Sequence, residues 1–75
     1  MMRAIEINNM QDAAQLNQIA CTLGYDAWVH GDTEMMDAKS FLGLVSLIGK
    51  PHLRFVVPDS EEAKHALKLV EKYLH

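Results

Sequence analysis

Apolar residues in this 75-residue chain alternate between two spacings, and this alternation limits the possible folds more than any other feature. A spacing of two residues predicts strands at 2–7, 25–30, 33–37 and 53–57. Spacings of three and four residues predict helices at 10–23, at 41–48 and from residue 60 onwards. The order β-α-β-β-α-β-α therefore predicts an α+β fold, with three helices on one face of a four-stranded antiparallel sheet.

A ferredoxin-like βαββαβ sandwich is the alternative, and it differs mainly in the final helix and the strand order. The pair Gly31-Asp32 has the chemistry of a tight turn and predicts a hairpin between the second and third strands. If Ala27 and Val29 face the core, Trp28 lies on the opposite face of the sheet, either as a cross-strand packing residue or as part of a binding site.

Capping residues mark the ends of the two longer helices. Asn9 is a suitable N-cap for the first helix, Asp12 follows at the capping-box position, and Gly24 is expected to end the helix. Asp59 and Glu62 predict the same arrangement at the start of the last helix. The helical spacing predicts a buried stripe on the first helix at Met10, Ala13, Leu16, Ile19, Ala20 and Leu23.

The short middle helix is unusual because its apolar residues surround the axis. Ser40 is its predicted N-cap, while Gly49 and Pro51 are expected to end it. A helix that packs on a core needs only one apolar stripe. The surplus apolar side chains either complete the core of this small domain or bind a protein partner.

The overall composition predicts one globular domain spanning residues 1–75. A net charge of −3, with scattered basic residues, argues against nucleic-acid binding. The single cysteine, Cys21, suits a reducing cytosol, and no signal segment or membrane span is apparent. A cytoplasmic protein without membrane association is expected.

The segment Lys39-Ser40-Phe41-Leu42-Gly43-Leu44-Val45-Ser46-Leu47 resembles the regulatory-serine segment of HPr, the histidine-containing phosphocarrier protein family of the bacterial sugar phosphotransferase system. The resemblance extends over nearly the whole chain and implies the HPr-like open-faced β-sandwich. It implies that Ser40 is a candidate for regulatory phosphorylation. It also implies that a protein partner, either a phosphotransferase-system component or a transcriptional regulator, binds the side of the short helix formed by Phe41, Leu42 and Val45.

The start of the first helix departs from the family pattern. An ungapped count places Asn9 at the phosphoacceptor histidine, Gln11 at the arginine and Asp12 at the usual proline, and the preceding loop is shortened to little more than Asn8-Asn9. Phosphoryl transfer through this site needs an imidazole nucleophile and positively charged donors for the phosphate. These substitutions predict that the chain is not a competent phosphocarrier.

The other histidines do not replace the missing one. His30 and His52 lie in or before strands, whereas His65 and His75 lie on the last helix, so none opens a helix where phosphate is held. No catalytic triad, metal-ligand spacing or phosphate loop is visible, and we expect no enzyme activity, metal or cofactor. The sequence thus predicts a protein-binding or regulatory module; the alternatives are an HPr paralogue regulated at Ser40 and a phosphocarrier with a non-standard acceptor.

Overall fold

The computed structural model describes residues 1–74. In that range it contains four strands and three helices in the predicted order. They are β1 (Met2–Ile5), α1 (Met10–Cys21), β2 (Trp28–His30), β3 (Met35–Asp37), α2 (Phe41–Val45), β4 (Leu53–Val56) and α3 (Glu61–Tyr73). His75, which the sequence predicts on the last helix, lies outside the described residues.

The strands form one antiparallel sheet in the order β1-β4-β2-β3. β4 lies between β1 and β2, where Phe55 pairs with Arg3 on one side and with Val29 on the other. The three helices cover one face and leave the other open, which confirms the predicted α+β class and the open-faced β-sandwich. Both the strand order and the final helix distinguish this fold from the ferredoxin-like alternative.

One apolar core lies between the sheet and the helices. Leu53 and Phe55 of β4 are almost fully buried, whereas Arg54 and Val56, which alternate with them, are half-buried on the open face. Val29 is fully buried in β2 and the adjacent Trp28 is half-buried, so the two faces of this strand are as predicted.

The predicted strands are longer than those observed. β1 ends at Ile5 because its partner β4 begins at Leu53, and the carbonyl of Ile7 accepts instead from the N–H of Gly49 at 2.9 Å. In the hairpin, the N–H of Gly31 donates to the carbonyl of Glu34 at 2.9 Å. This four-residue turn takes up the predicted beginning of β3. Similarly, β2 begins three residues later than predicted.

Three predicted helix boundaries are also wrong. α2 ends at Val45 with Ser46 as its C-cap, and not at Gly49. α1 ends at Cys21 and is capped by Thr22, whose hydroxyl donates to the carbonyl of Ile19 at 2.7 Å, so Gly24 lies beyond the helix end. The N-cap of α3 is Ser60 and not Asp59, since the Ser60 hydroxyl accepts from the N–H of Ala63 at 3.2 Å. At α3, the hydroxyl of Ser60 supplies the capping hydrogen bond that the prediction assigned to Asp59.

Candidate functional site

The start of α1 is built around the side chain of Asn9. Its backbone is extended, with φ −159° and ψ 176°, and its Oδ1 accepts from the N–H of Asp12 at 2.8 Å. Oδ2 of Asp12 accepts in turn from the N–H of Asn8 at 3.0 Å. Asn9 is therefore the predicted N-cap, and Asp12 completes a variant capping box that reaches one residue further back.

This helix end carries an acidic group and no basic residue. Asp12 is the acidic residue of the first turn, and the exposed Gln11 is uncharged. An anion at this helix terminus would meet a carboxylate instead of a guanidinium, so the side chains oppose the attraction of the helix dipole for phosphate. The arrangement stabilises the helix end, and its first turn carries a negative charge.

Histidines occur elsewhere in the described residues. His30 lies on the open face of the sheet in β2, and His65 is exposed on α3. His52 precedes β4 and its Nδ1 lies 2.9 Å from Oδ2 of Asp32. Its backbone is left-handed, with φ 59°. Each of these three imidazoles belongs to an element other than the start of α1.

Beside the short loop between β1 and α1 is a cleft of about 370 Å³. Polar side chains of Glu6, Asn8, Lys50 and His52 line it, and it opens to solvent. Within residues 1–74 there is no cluster of three or more histidine, cysteine or carboxylate side chains able to hold a metal ion. The cleft thus has no concentration of ligating groups.

Ser40 caps α2 as the sequence predicts. Its hydroxyl oxygen accepts from the N–H of Gly43 at 3.2 Å, and its side chain is exposed. Gly49, a few residues beyond the helix, has φ 80° and lies at the predicted end of the apolar segment. Ser40 is therefore the predicted N-cap, whereas the predicted helix end at Gly49 is wrong, because α2 ends at Val45 with Ser46 as its C-cap.

The apolar side chains of α2 divide into three levels of burial. Leu44 is fully buried in the core, as is Leu47 in the turn that follows the helix. Phe41 and Val45 are half-buried and pack against that core, whereas Leu42 remains 79% exposed. Of the three candidate partner-binding residues, Leu42 is thus the one that protrudes into solvent, whereas Phe41 and Val45 are partly covered by the core.

Side-chain hydrogen bonds fasten α1 to the segment that enters α2. The Asn17 amide donates to the carbonyl of Ala38 at 3.3 Å, and Nζ of Lys39 donates to the carbonyl of Leu23 at 2.9 Å. Both contacts join residues far apart in the chain, so no local sequence pattern indicates them. Met10, predicted to be buried, is 54% exposed because it lies one turn before Ala13, where the buried stripe begins.

None of the helices within residues 1–74 has the length and hydropathy needed to cross a membrane.

No family model and no curated protein matches the sequence. Solved structures do match. The phosphocarrier protein HPr from Bacillus anthracis str. Ames superposes with a TM-score of 0.75 at 22% identity, over 100% of this chain and 96% of that one. HPr-C-His from Thermoanaerobacter tengcongensis gives a TM-score of 0.69 at 25% identity, over 96% and 89% of the two chains.

The comparison defines the class of fold: this chain has the HPr-like open-faced β-sandwich. The likeness spans the whole chain and includes the order of all seven elements.

Proposed function

We propose that this protein is an HPr-like member of the phosphotransferase-system family that binds a protein partner and has no histidine phosphocarrier activity. The observation that supports this proposal is the side chain of Asn9 at the phosphoacceptor position, with its Oδ1 engaged as a helix cap at 2.8 Å. A carboxamide is not a useful nucleophile towards phosphorus, and Asp12 repels an incoming phosphoryl group.

The partner binds the surface of α2 formed by Phe41, Leu42 and Val45. Leu42 is 79% exposed on a short helix whose other apolar residues contact the core. Those core contacts hold the helix in place and keep Leu42 in solvent. Burying one leucine of this kind contributes about 2 kcal/mol before the costs of association. Such a surface suits a transient complex with a phosphotransferase-system component or a transcriptional regulator.

Phosphoryl transfer tests the first half of the proposal. After incubation with phosphorylated enzyme I of the phosphotransferase system, we expect the intact mass of the protein to remain unchanged, while an active HPr treated in parallel gains acid-labile phosphate. The reason is the missing imidazole at residue 9. Acid-labile phosphate on this chain would instead support the alternative of a phosphocarrier with a non-standard acceptor.

Phosphorylation of Ser40 is the second candidate function, favoured by the exposed hydroxyl at the start of α2. A phosphate there would add about two negative charges beside Leu42 and would change the binding surface. Incubation with the family's kinase and ATP, followed by the same mass measurement, separates this candidate from a simple helix cap. If the mass does not change, Ser40 is not a phosphorylation site and its hydroxyl serves only as the cap of α2.

Substitution of Leu42 tests the binding surface. We expect Leu42→Glu to lose its partners in a pull-down from cell extract while its melting temperature stays within a few degrees of the native value, because the side chain is mostly in water. Met35→Glu is the matched control, since Met35 is 62% exposed on β3. Unfolding of Leu42→Glu, or an unchanged set of partners, would contradict the assignment.

A further inference from the structure

An apolar row crosses three strands on the open face of the sheet. Met2, Val56 and Trp28 lie directly opposite one another on β1, β4 and β2. Residues that are directly opposite share a face of the sheet, and their Cβ atoms are about 5 Å apart. Met2 is 60% exposed, while Val56 and Trp28 are half-buried. Trp28 thus has a cross-strand neighbour and still exposes part of its side chain to solvent.

Arg54, on the same face of β4, is a cation without a carboxylate partner. Its Nη1 donates to the carbonyl of His52 at 3.4 Å, and its Nη2 donates to the carbonyl of Gly31 at 3.3 Å. Among residues 1–74 no carboxylate forms an ion pair with this guanidinium, whereas the guanidinium of Arg3 lies 3.3 Å from Oε2 of Glu71. The two carbonyls therefore orient a half-buried guanidinium whose remaining N–H groups are suited to bind a carboxylate.

The carboxylates on or beside this face are already engaged within the chain. Oδ1 of Asp37 accepts from the N–H of Lys39 at 2.9 Å, Oδ2 of Asp32 lies 2.9 Å from Nδ1 of His52, and Oε2 of Glu34 lies 3.7 Å from Nζ of Lys50. The charge that lacks a partner on the open face is therefore positive, although the net charge of the whole chain is −3. A basic partner would bring a second cation towards Arg54, whereas an acidic partner would supply the missing carboxylate. Charge complementarity thus favours an acidic partner.

We propose that the open face binds an acidic protein segment, whose apolar side chain packs on Met2, Val56 and Trp28 while a neighbouring carboxylate pairs with Arg54. We call these four residues the open-face patch. Arg54 and Val56 are about 7 Å apart along β4, which matches side chains two residues apart in an extended segment. Tryptophan, methionine and arginine are enriched in protein interfaces, and tryptophan and arginine often dominate the binding energy. The patch lies on the face of the sheet opposite to α2, so this binding does not depend on the proposed function.

The single tryptophan of the chain allows this binding to be measured directly. The probe is the synthetic peptide acetyl-Ser-Leu-Ser-Glu-Ser-Leu-Ser-Glu-Ser-amide, which places leucine and glutamate on one side of an extended chain. We expect it to shift the fluorescence emission of Trp28 to shorter wavelength, with half-saturation at about 1 mM, because a leucine displaces water from the indole. A control peptide with glutamine in place of glutamate should bind at least about tenfold more weakly, because it forms no ion pair with Arg54.

Variants of the chain separate the open-face patch from the rest of the surface. We expect Arg54→Gln to bind the glutamate and glutamine peptides equally. Lys68→Gln is the matched control, since it removes the same charge from the exposed surface of α3 and should keep the preference for glutamate. Leu42→Glu should also keep this preference, because Leu42 lies on the helical side of the sheet. A circular-dichroism melt of each variant confirms that it is folded before its binding is compared.

A salt titration of the native chain provides a measurement that does not depend on how Arg54→Gln folds. We expect about 1 M NaCl to weaken binding of the glutamate peptide and to leave binding of the glutamine peptide nearly unchanged, because salt screens the ion pair. Equal binding of the two peptides by the native chain would overturn the proposal, as would a preference for glutamate that persists in Arg54→Gln.

Two other results would also overturn the proposal. One is an unchanged Trp28 emission up to about 10 mM of the glutamate peptide, where a specific complex of even millimolar affinity would form. The other is a shift produced by phosphatidylserine vesicles but not by the peptide, which would assign the open face to a membrane. None of these results bears on partner capture through Leu42 or on phosphoryl transfer, so failure of this inference and failure of the proposed function remain distinguishable.

Discussion

At residue 9, the asparagine side chain has a structural role as the N-cap of α1. The asparagine Oδ1 accepts the hydrogen bond that an N-cap must accept, at 2.8 Å from the N–H of Asp12. A capping amide keeps the start of α1 intact without supplying a nucleophile. Asn9 is thus explained locally by helix capping, whatever partner the protein has.

Removing the cap should therefore destabilise the protein. We expect Asn9→Ala to lower the free energy of unfolding by about 1 kcal/mol, because the N–H of Asp12 loses its acceptor. Urea denaturation followed by circular dichroism measures the change. Asn9→Asp should stay close to the native protein, since aspartate caps about as well as asparagine. An Asn9→Ala variant as stable as the native protein would show that solvent replaces the cap.

Among the elements, the segment from Ser40 to Gly49 combines local signals with contacts that the sequence does not reveal. The cap at Ser40 and the left-handed backbone of Gly49 follow from residue type and position, and both are observed, although the helix ends earlier than predicted, at Val45. The unequal burial of Phe41, Leu42 and Val45 depends on how the helix leans against the core. Periodicity could not settle this, because a helix that is apolar on all sides has no unique buried stripe.

The backbone at Gly49 permits a test of this element. We expect Gly49→Ala to destabilise the fold by about 1 kcal/mol, because φ 80° is unfavourable for a residue with a Cβ. A Cβ would meet no atom within 4 Å, so the effect would come from the backbone alone. Gly24→Ala is the matched control, since Gly24 has equal space and does not share the left-handed conformation.

Thermal and urea unfolding of the two glycine variants provide the measurement. Gly24→Ala is expected to be neutral or slightly stabilising, because alanine lowers the entropy of the unfolded chain. Equal stability of the two variants would mean that the loop after α2 adjusts its backbone at little cost. That result would also show that the 2.9 Å hydrogen bond from the N–H of residue 49 to the carbonyl of Ile7 does not require a glycine.

Over the whole molecule, the sheet is completed by the last strand, β4. β4 lies between β1 and β2 and contributes Leu53 and Phe55 to the core, so the fold needs contacts across most of the chain. The same arrangement brings the charge-free segments 13–25 and 40–49 together on the helical side, while charged residues lie on α3 and on the open face. The charged residues are therefore unevenly distributed over the surface of the molecule.

Much of the architecture was predictable because it depends on local patterns. The two hydrophobic spacings identified all seven elements in order, and the buried face of β4 followed from alternation alone. The errors at Gly24 and Asp59 arose because Thr22 and Ser60 lie close enough to supply the cap instead. Met10 fits the helical spacing but lies a turn before the part of α1 that packs on the core.

By itself, the amino-acid sequence determined which side of each strand and long helix is apolar, where the chain turns, and that a capping amide stands at residue 9. Those properties depend on residue type and on neighbours within a few positions. Only the tertiary structure decided that β4 is central, that Asn17 and Lys39 join α1 to the α2 entrance, and that Leu42 protrudes. The physical reason is that strand neighbours and exposed surface depend on contacts between distant segments, which no local pattern specifies.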